Sequence, residues 1–436
     1  MTLPLGLRRS LNPRRDEENS KLHRNVAIVG AGIAGLAVAD LLRARGLSVV
    51  VLEARRRVGG RILSARIGEH TVDLGAGRFA ATHAQTRAWA RRLDLDLVPM
   101  YPSTGRQVFV DADRRHVGPD ARLLSPDDVH GRVSHPQTWA HPLTPRSIVR
   151  NALLGARRRA SWLRIDGGNH RLPARLGDRH RDVIVLGAVV RRVVQGQRGV
   201  SLDVERDDRI ERWSAQRCVV TVPLATFDAI AFEPSLSEGR RRRMASIATQ
   251  PAIRLAARAT DRRPLRDERL NGYGCTANGD EIWQPSFSSP RDDAALVVYA
   301  QGAATRPWAT LTREGRFDRL RRLLDRAFPS VGGGLVGFHE HSWTEDRWSR
   351  GAQALISDRS QRRALALNEG RLHFAGDSTA GGWVDDVLAS AERVAQEIVA
   401  TERESLRAAA GGRTNAVIGR GPRPVEGRDP PPRARD

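Results

Sequence analysis

The sequence predicts an α/β protein in which a Rossmann-like dinucleotide-binding domain is interleaved with an α+β substrate domain containing an antiparallel sheet. Three observations carry that expectation. Residues 26–61 run strand, glycine turn, helix, strand and a second glycine pair. Four alternating segments between 253 and 300 read as a second sheet. The chain then returns to LHFAGD and GGWVD, a strand end followed by a helix start.

The first unit is the most informative. Residues 26–29 form a short apolar run suited to a buried strand. Gly30, Gly32 and Gly35 follow in GxGxxG spacing and open a helix whose Leu36, Ala39, Leu42 and Leu47 suit one buried face. A second strand, 48–52, ends at Glu53. Gly30 permits the tight turn, Gly32 lets backbone N–H groups approach a pyrophosphate, and Gly35 lets the helix pack close to the strand. The helix N-terminus adds the positive end of a dipole. Glu53 stands where an acid accepts hydrogen bonds from ribose hydroxyls. Gly59, Gly60 and Arg61 then suggest a second backbone approach to the cofactor.

Composition narrows the alternatives. The 436 residues allow one large domain or two interlocked ones. The two cysteines, Cys218 and Cys275, lie far apart, so neither a disulfide framework nor a metal site is expected. No run of 18 apolar residues occurs and the basic N-terminus has no apolar core, which predicts a soluble, cytoplasmic protein with no membrane partner. The net charge of +22 invites a nucleic-acid reading. Lys21 is the sole lysine, however, and the arginines are spread along the chain without interleaved aromatics. That pattern is compositional bias and argues against a nucleic-acid partner. A homodimer is left open.

Along the chain, residues 1–24 and 402–436 read as disordered basic tails. Residues 70–77 (HTVDLGAG) form a short strand ending in a glycine turn, followed by Arg78 and by a helix over 83–94 with Trp89 and Leu93 inward. Residues 100–160 are loop-rich, with a helix such as 146–160. Residues 165–176 read as a glycine turn opening a helix, and 183–186, 189–194, 201–205 and 217–222 as strands. Helices are expected over 236–249 and 316–328, and the second sheet is expected from 253–258, 273–276, 282–287 and 295–300. Strands at 339–343 and 372–376 precede a helix over 384–401. Together these give a discontinuous cofactor domain (25–99, 165–224 and 340–401) and a substrate domain (100–164 and 225–339).

In their order and spacing these stretches resemble the flavin-containing amine oxidase superfamily over residues 25–401. The family's LEA-R-x-R-x-GGR is matched from Leu52 to Arg61, its FAG-acid motif by Phe374 to Asp377, and its W-x-acid-acid motif by Trp343 to Gly351. The resemblance implies FAD. It sets Gly30, Gly32, Ala34, Gly35, Glu53, Ala54, Arg55, Gly60 and Arg61 along the dinucleotide, Val190 at the adenine, and Gly75, Ala76, Gly77, Trp343, Gly376, Asp377 and Val384 near the flavin half. Ala352 occupies the position at which some members carry a flavin-linked cysteine, so the FAD is expected to be non-covalent.

Within the superfamily, the L-amino-acid oxidase and tryptophan 2-monooxygenase branch is similar at the substrate residues. By that resemblance Arg78 and Tyr299 bind a substrate carboxylate, Trp383 walls the amine beside Gly382, and Gln353 takes the place of a second aromatic. Arg254 replaces the lysine that holds a water, and orders that water instead. A planar guanidinium suits bidentate carboxylate recognition. The activity implied is oxidation of an L-amino-acid α-amine to an imine, hydrolysed to a 2-oxo acid and ammonia, with oxygen or another acceptor taking the electrons. The alternative keeps the fold but changes the small-molecule substrate to a non-amino-acid amine or a desaturation substrate.

Overall fold

The computed structural model describes residues 23–100, 105–111, 114–118, 162–287, 289–329 and 331–417. The first sheet grows around His23–Val29, which pairs in parallel with Val49–Glu53 on one side and with Arg209–Val220 on the other. Ile184–Leu186 and Leu372–Phe374 add further parallel partners. Every residue of Val49–Glu53 is buried, as expected for a strand covered on both faces. The helix Ile33–Arg43 packs its Leu36, Ala39 and Leu42 inward. Beyond Arg209–Val220 the sheet continues antiparallel through Val200–Arg206 and Val189–Gln195.

The second sheet runs in the order Leu335–Ser342, Ala252–Ala259, Ala294–Gln301, Glu281–Trp283, Leu270–Thr276, Arg106–Asp111, Arg114–Gly118. Strand periodicity divides its residues cleanly. Leu255, Ala257, Leu296 and Val298 pack on Trp308, Leu320 and Leu324, the last two from the helix Arg313–Ala327. Their alternates, Ala256, Ala295 and Val297, face Leu74, Trp162 and Trp283. By the same parity Arg254 and Tyr299 share the second face, and they are directly paired across the two strands. Glu281 pairs with Tyr299 on the next strand. Three polar side chains thus form one row across three strands.

Several expectations are corrected. The second sheet is mixed, because Leu270–Thr276 pairs in parallel with Arg106–Asp111. That strand and Arg114–Gly118 form a hairpin inside the stretch expected to be loop-rich; its short alternating run was masked by neighbouring Asp and Arg. The helix expected over 146–160 lies outside the described residues. The strand expected over 282–287 is only Glu281–Trp283, because the following Gln-Pro-Ser leads into a turn. Strand 217–222 is the end of the longer Arg209–Val220, whose charged first half faces solvent on an antiparallel edge and carries no apolar run. The basic helix is shorter, Glu238–Ala245. The last helix runs Val384–Val417 rather than ending near 401, since Glu402 to Ala410 are mostly strong helix formers. From Ala395 onward the chain is a second compact unit, and the described part of it is this helix.

Among the described residues, no helix is long and apolar enough to cross a membrane, and no cluster of His, Cys, Asp or Glu has the make-up of a metal site. Both cysteines are buried, and burial pushes the Cys218 thiol up to about 12. Trp308 is fully buried and its indole N–H donates to Asp280 Oδ1 at 2.8 Å. Replacing it with Phe keeps most of the apolar volume but removes the donor to a buried carboxyl. Trp308→Phe is expected to lower the unfolding free energy by about 1–3 kcal/mol, read from the urea midpoint at unchanged m-value.

Candidate active site

The turn after His23–Val29 is built by close backbone approach. Gly30 adopts φ +105°, and a Cβ at Gly35 would lie 2.0 Å from the Gly30 carbonyl oxygen. Only glycine at 35 lets the helix start so close to the strand. Gly32 caps the helix without a side-chain hydrogen bond, and a Cβ there would meet nothing within 4 Å. The first-turn N–H groups therefore open toward space. Glu53 pins the turn: its Oε2 accepts from Ala31 N at 2.7 Å and its Oε1 from Arg55 N at 2.8 Å.

That space is the end of a cavity of about 850 Å³, in the upper range of small-molecule sites. Gly30, Gly32, Ala34, Glu53, Ala54, Arg55, Gly60, Arg61 and Val190 line its first half. Gly75, Ala76, Gly77, Arg78, Arg254, Tyr299, Trp343, Gln353, Gly376, Asp377, Gly382, Trp383 and Val384 line the rest. Among the site residues expected from the sequence, Gly35 alone is set back from the wall, beneath Gly30. An uncapped helix N-terminus and an acid at the second strand's end, both on the wall of one large cavity, fit a dinucleotide.

Midway, Arg61 grips Asp377 with both nitrogens, at 2.6 and 2.9 Å, and also donates to the Ala352 carbonyl at 2.9 Å. Asp377 accepts a further bond from Ala354 N at 2.9 Å. Burial opposes ionisation of Asp377, but the Arg61 charge and these hydrogen bonds outweigh it and hold its carboxyl below the usual range. Arg55 donates to Asp346 at 2.6 Å and to Ser349 at 2.8 Å. For Asp346 burial also pushes upward, yet the bond from His341, the Arg55 charge and the Trp348 N–H bring it down to about 2.

The far end carries the row from the second sheet. Arg78 forms a buried salt bridge with Glu281, and its guanidinium lies 5.1 Å from the Trp162 ring centre. Arg254 lies over the rings of Tyr299, at 4.4 Å, and Trp283, at 5.0 Å, and donates to the Asp73 carbonyl at 3.0 Å. A Cβ at Gly77 would meet Arg254 Nη1 at 2.4 Å, so the glycine turn leaves room for this guanidinium. Burial lowers Arg254, helped by the charge of Arg78, although a guanidinium stays protonated. Burial raises the Tyr299 phenol and the Asp73 carboxyl. Trp383 stacks on Trp162 at 5.5 Å and meets His83 edge-on at 5.3 Å.

Glu281, Trp162, Gln250 and Gln301 were missed by sequence reasoning. Glu281 stood just outside an expected strand, and its strand register was the only signal that could have found it. The glutamines sit at strand ends in no recognisable motif.

A model of flavin-containing amine oxidoreductases matches residues 125–399, and one of NAD(P)-binding Rossmann-like domains matches residues 28–93. The chain belongs to the flavin-containing amine oxidoreductase family, and it is an FAD-dependent oxidoreductase. A probable flavin-containing monoamine oxidase A of Dictyostelium discoideum is 23% identical over 86% of this chain and 97% of its own length. An L-amino-acid oxidase of Siganus canaliculatus is 24% identical over 86% of this chain and 85% of its own. A triple mutant of putrescine oxidase shares the fold with a TM-score of 0.73 at 21% identity, covering 87% of this chain and 99% of that one.

Gly35→Ala is expected to yield protein with little bound flavin, read as flavin absorbance per polypeptide, because the added methyl collides with the turn rather than with a movable side chain. Asp346, whose folded pKa is depressed, contributes stability that is present above its unfolded value and lost as pH falls toward about 2. Asp346→Asn should therefore remove about 2 kcal/mol of acid-sensitive stability, seen as a shallower fall of unfolding free energy in acid than in wild type.

Proposed function

We propose that the protein oxidises the α-amine of an L-amino acid to an imine, which water hydrolyses to a 2-oxo acid and ammonia, with oxygen as the acceptor that yields peroxide. FAD bound in this cavity would supply the acceptor for the α-hydrogen and its two electrons. The observation that carries this reading is the charge of the far end of the cavity. Two guanidiniums, Arg78 and Arg254, line that end of the cavity, whereas the Glu281 and Asp73 carboxyls stand behind the wall rather than on it. The excess is positive, which favours a substrate with a carboxylate. Arg78 and the Tyr299 phenol would hold that carboxylate, and Arg254 would order water beside it. Trp383 would wall the amine. With Ala352 at the family's linking position, the FAD is non-covalent in this reading.

One observation favours a second substrate class. Glu281 already supplies Arg78 with a carboxylate from within the chain, so a simple amine could bind without bringing its own. An anaerobic screen of the twenty L-amino acids and a set of amines for flavin bleaching separates the two. The amino-acid reading expects bleaching by at least one amino acid and none by its decarboxylated amine at comparable rate. Arg78→Met should lower kcat/KM for that amino acid by about 10- to 100-fold while changing amine turnover little. Bleaching by amines alone, or an unaltered Arg78→Met, would overturn it.

A further inference from the structure

Near Gly382 and Trp383 the cavity wall holds three glutamines in a directional chain. Gln353 Nε2 donates to Gln250 Oε1 at 2.6 Å, and Gln250 Nε2 donates to Gln301 Oε1 at 3.0 Å. All three line the cavity. Gln250 and Gln301 are 5% exposed, so their amides are held in place rather than solvated. The backbones are locked as well. Gln250 N donates to the Gln353 carbonyl at 2.8 Å, and Ala352 N returns to the Gln250 carbonyl at 2.9 Å. Gln301 sits in the sheet opposite Ala252.

A side-chain amide has a donor end and an acceptor end, and which end faces the cavity is decided by its neighbours. With its Nε2 committed to Gln250, Gln353 directs its carbonyl oxygen toward Gly382. A Cβ at Gly382 would lie 2.1 Å from that oxygen, so the acceptor occupies the space that the bare glycine leaves beside Trp383. Reversing Gln353 would set its carbonyl against the carbonyl of Gln250. To prevent that clash, Gln250 would have to reverse too, against Gln301.

We propose that the Gln301–Gln250–Gln353 chain is a positioning relay that fixes the Gln353 carbonyl oxygen as the hydrogen-bond acceptor for a substrate N–H beside Gly382 and Trp383. This rests on the amine half of the reading above, not on the carboxylate half. Gln353 touches the substrate; Gln250 and Gln301 act through it. The relay selects for ligands carrying an amine N–H and is indifferent to their carboxylate.

The test uses the flavin-loaded enzyme without oxygen and three ligands: L-phenylalanine, phenethylamine, which lacks the carboxylate, and 3-phenylpropanoate, which lacks the amine. Dissociation constants are read from the saturation of the bleaching rate for a ligand that reduces the flavin, and from perturbation of the flavin spectrum or competition for one that does not. Gln250→Met removes both relay bonds at similar side-chain length. It is expected to weaken L-phenylalanine and phenethylamine by about tenfold and to leave 3-phenylpropanoate within about twofold. Gln301→Met leaves the Gln353–Gln250 bond intact and should weaken the two amines by about threefold, and it decides the matter alone should Gln250→Met fail to fold. Equal loss for all three ligands, no loss for the amines, or amines that bind wild type no better than 3-phenylpropanoate overturns the relay. Failure of the amino-acid reading looks different: phenethylamine then binds wild type at least as well as L-phenylalanine, while the relay variants still weaken it.

Discussion

The fold depends on one carboxylate. Glu53 receives backbone N–H groups from the turn after the first strand and from the residues after the second, and so ties the two ends together at the point where the helix begins. Charge-assisted bonds of this kind are short and strong, and this one is buried. With the turn fixed, the close contact of Gly35 with the Gly30 carbonyl aims the helix N-terminus into the cavity. The Arg61–Asp377 pair then joins the early glycine segment to the strand end at 374, across more than three hundred residues of chain. A discontinuous site holds its shape because charged contacts, not only apolar ones, span those separations.

The far end of the cavity follows a different rule. Its residues come together because β-strand parity puts Arg254, Tyr299 and Glu281 in one row on one face of a sheet. The opposite face of the same strands is wholly apolar and closes on Trp308 and the helix Arg313–Ala327. One sheet therefore serves as a core wall and as a polar floor, and a single-residue slip in register would exchange the two. Burying several charges in such a row is costly unless they compensate one another. Here Glu281 sits with Arg78, aromatic rings cover both guanidiniums, and Asp73 is driven toward its neutral form.

Much of this was legible in the residues. The glycine spacing, the acid at 53 and the closing GGWVD are local signals whose physics is written in consecutive positions, and they led to the cavity that the structure forms. Segments with clean alternation, such as Ala294–Gln301, were likewise readable. What escaped was whatever depends on pairing between distant segments. The partner of Arg78 could not be seen without the register that brings Glu281 across from Tyr299. The hairpin at 106–118 reads as polar loop until a neighbouring strand covers it. The glutamine chain has no sequence signature, because its logic lies in which amide end is left over after the others have bonded.

The two thiols have a consequence of their own. Under the proposed reaction the chain would release peroxide as it turned over, and sulfur is the element most exposed to that hazard. Only the thiolate form reacts readily. Cys218 is sealed in the first sheet and kept protonated, and Cys275 is sealed in the second. Self-inflicted ageing under that reaction would then have to begin at groups other than these two sealed thiols.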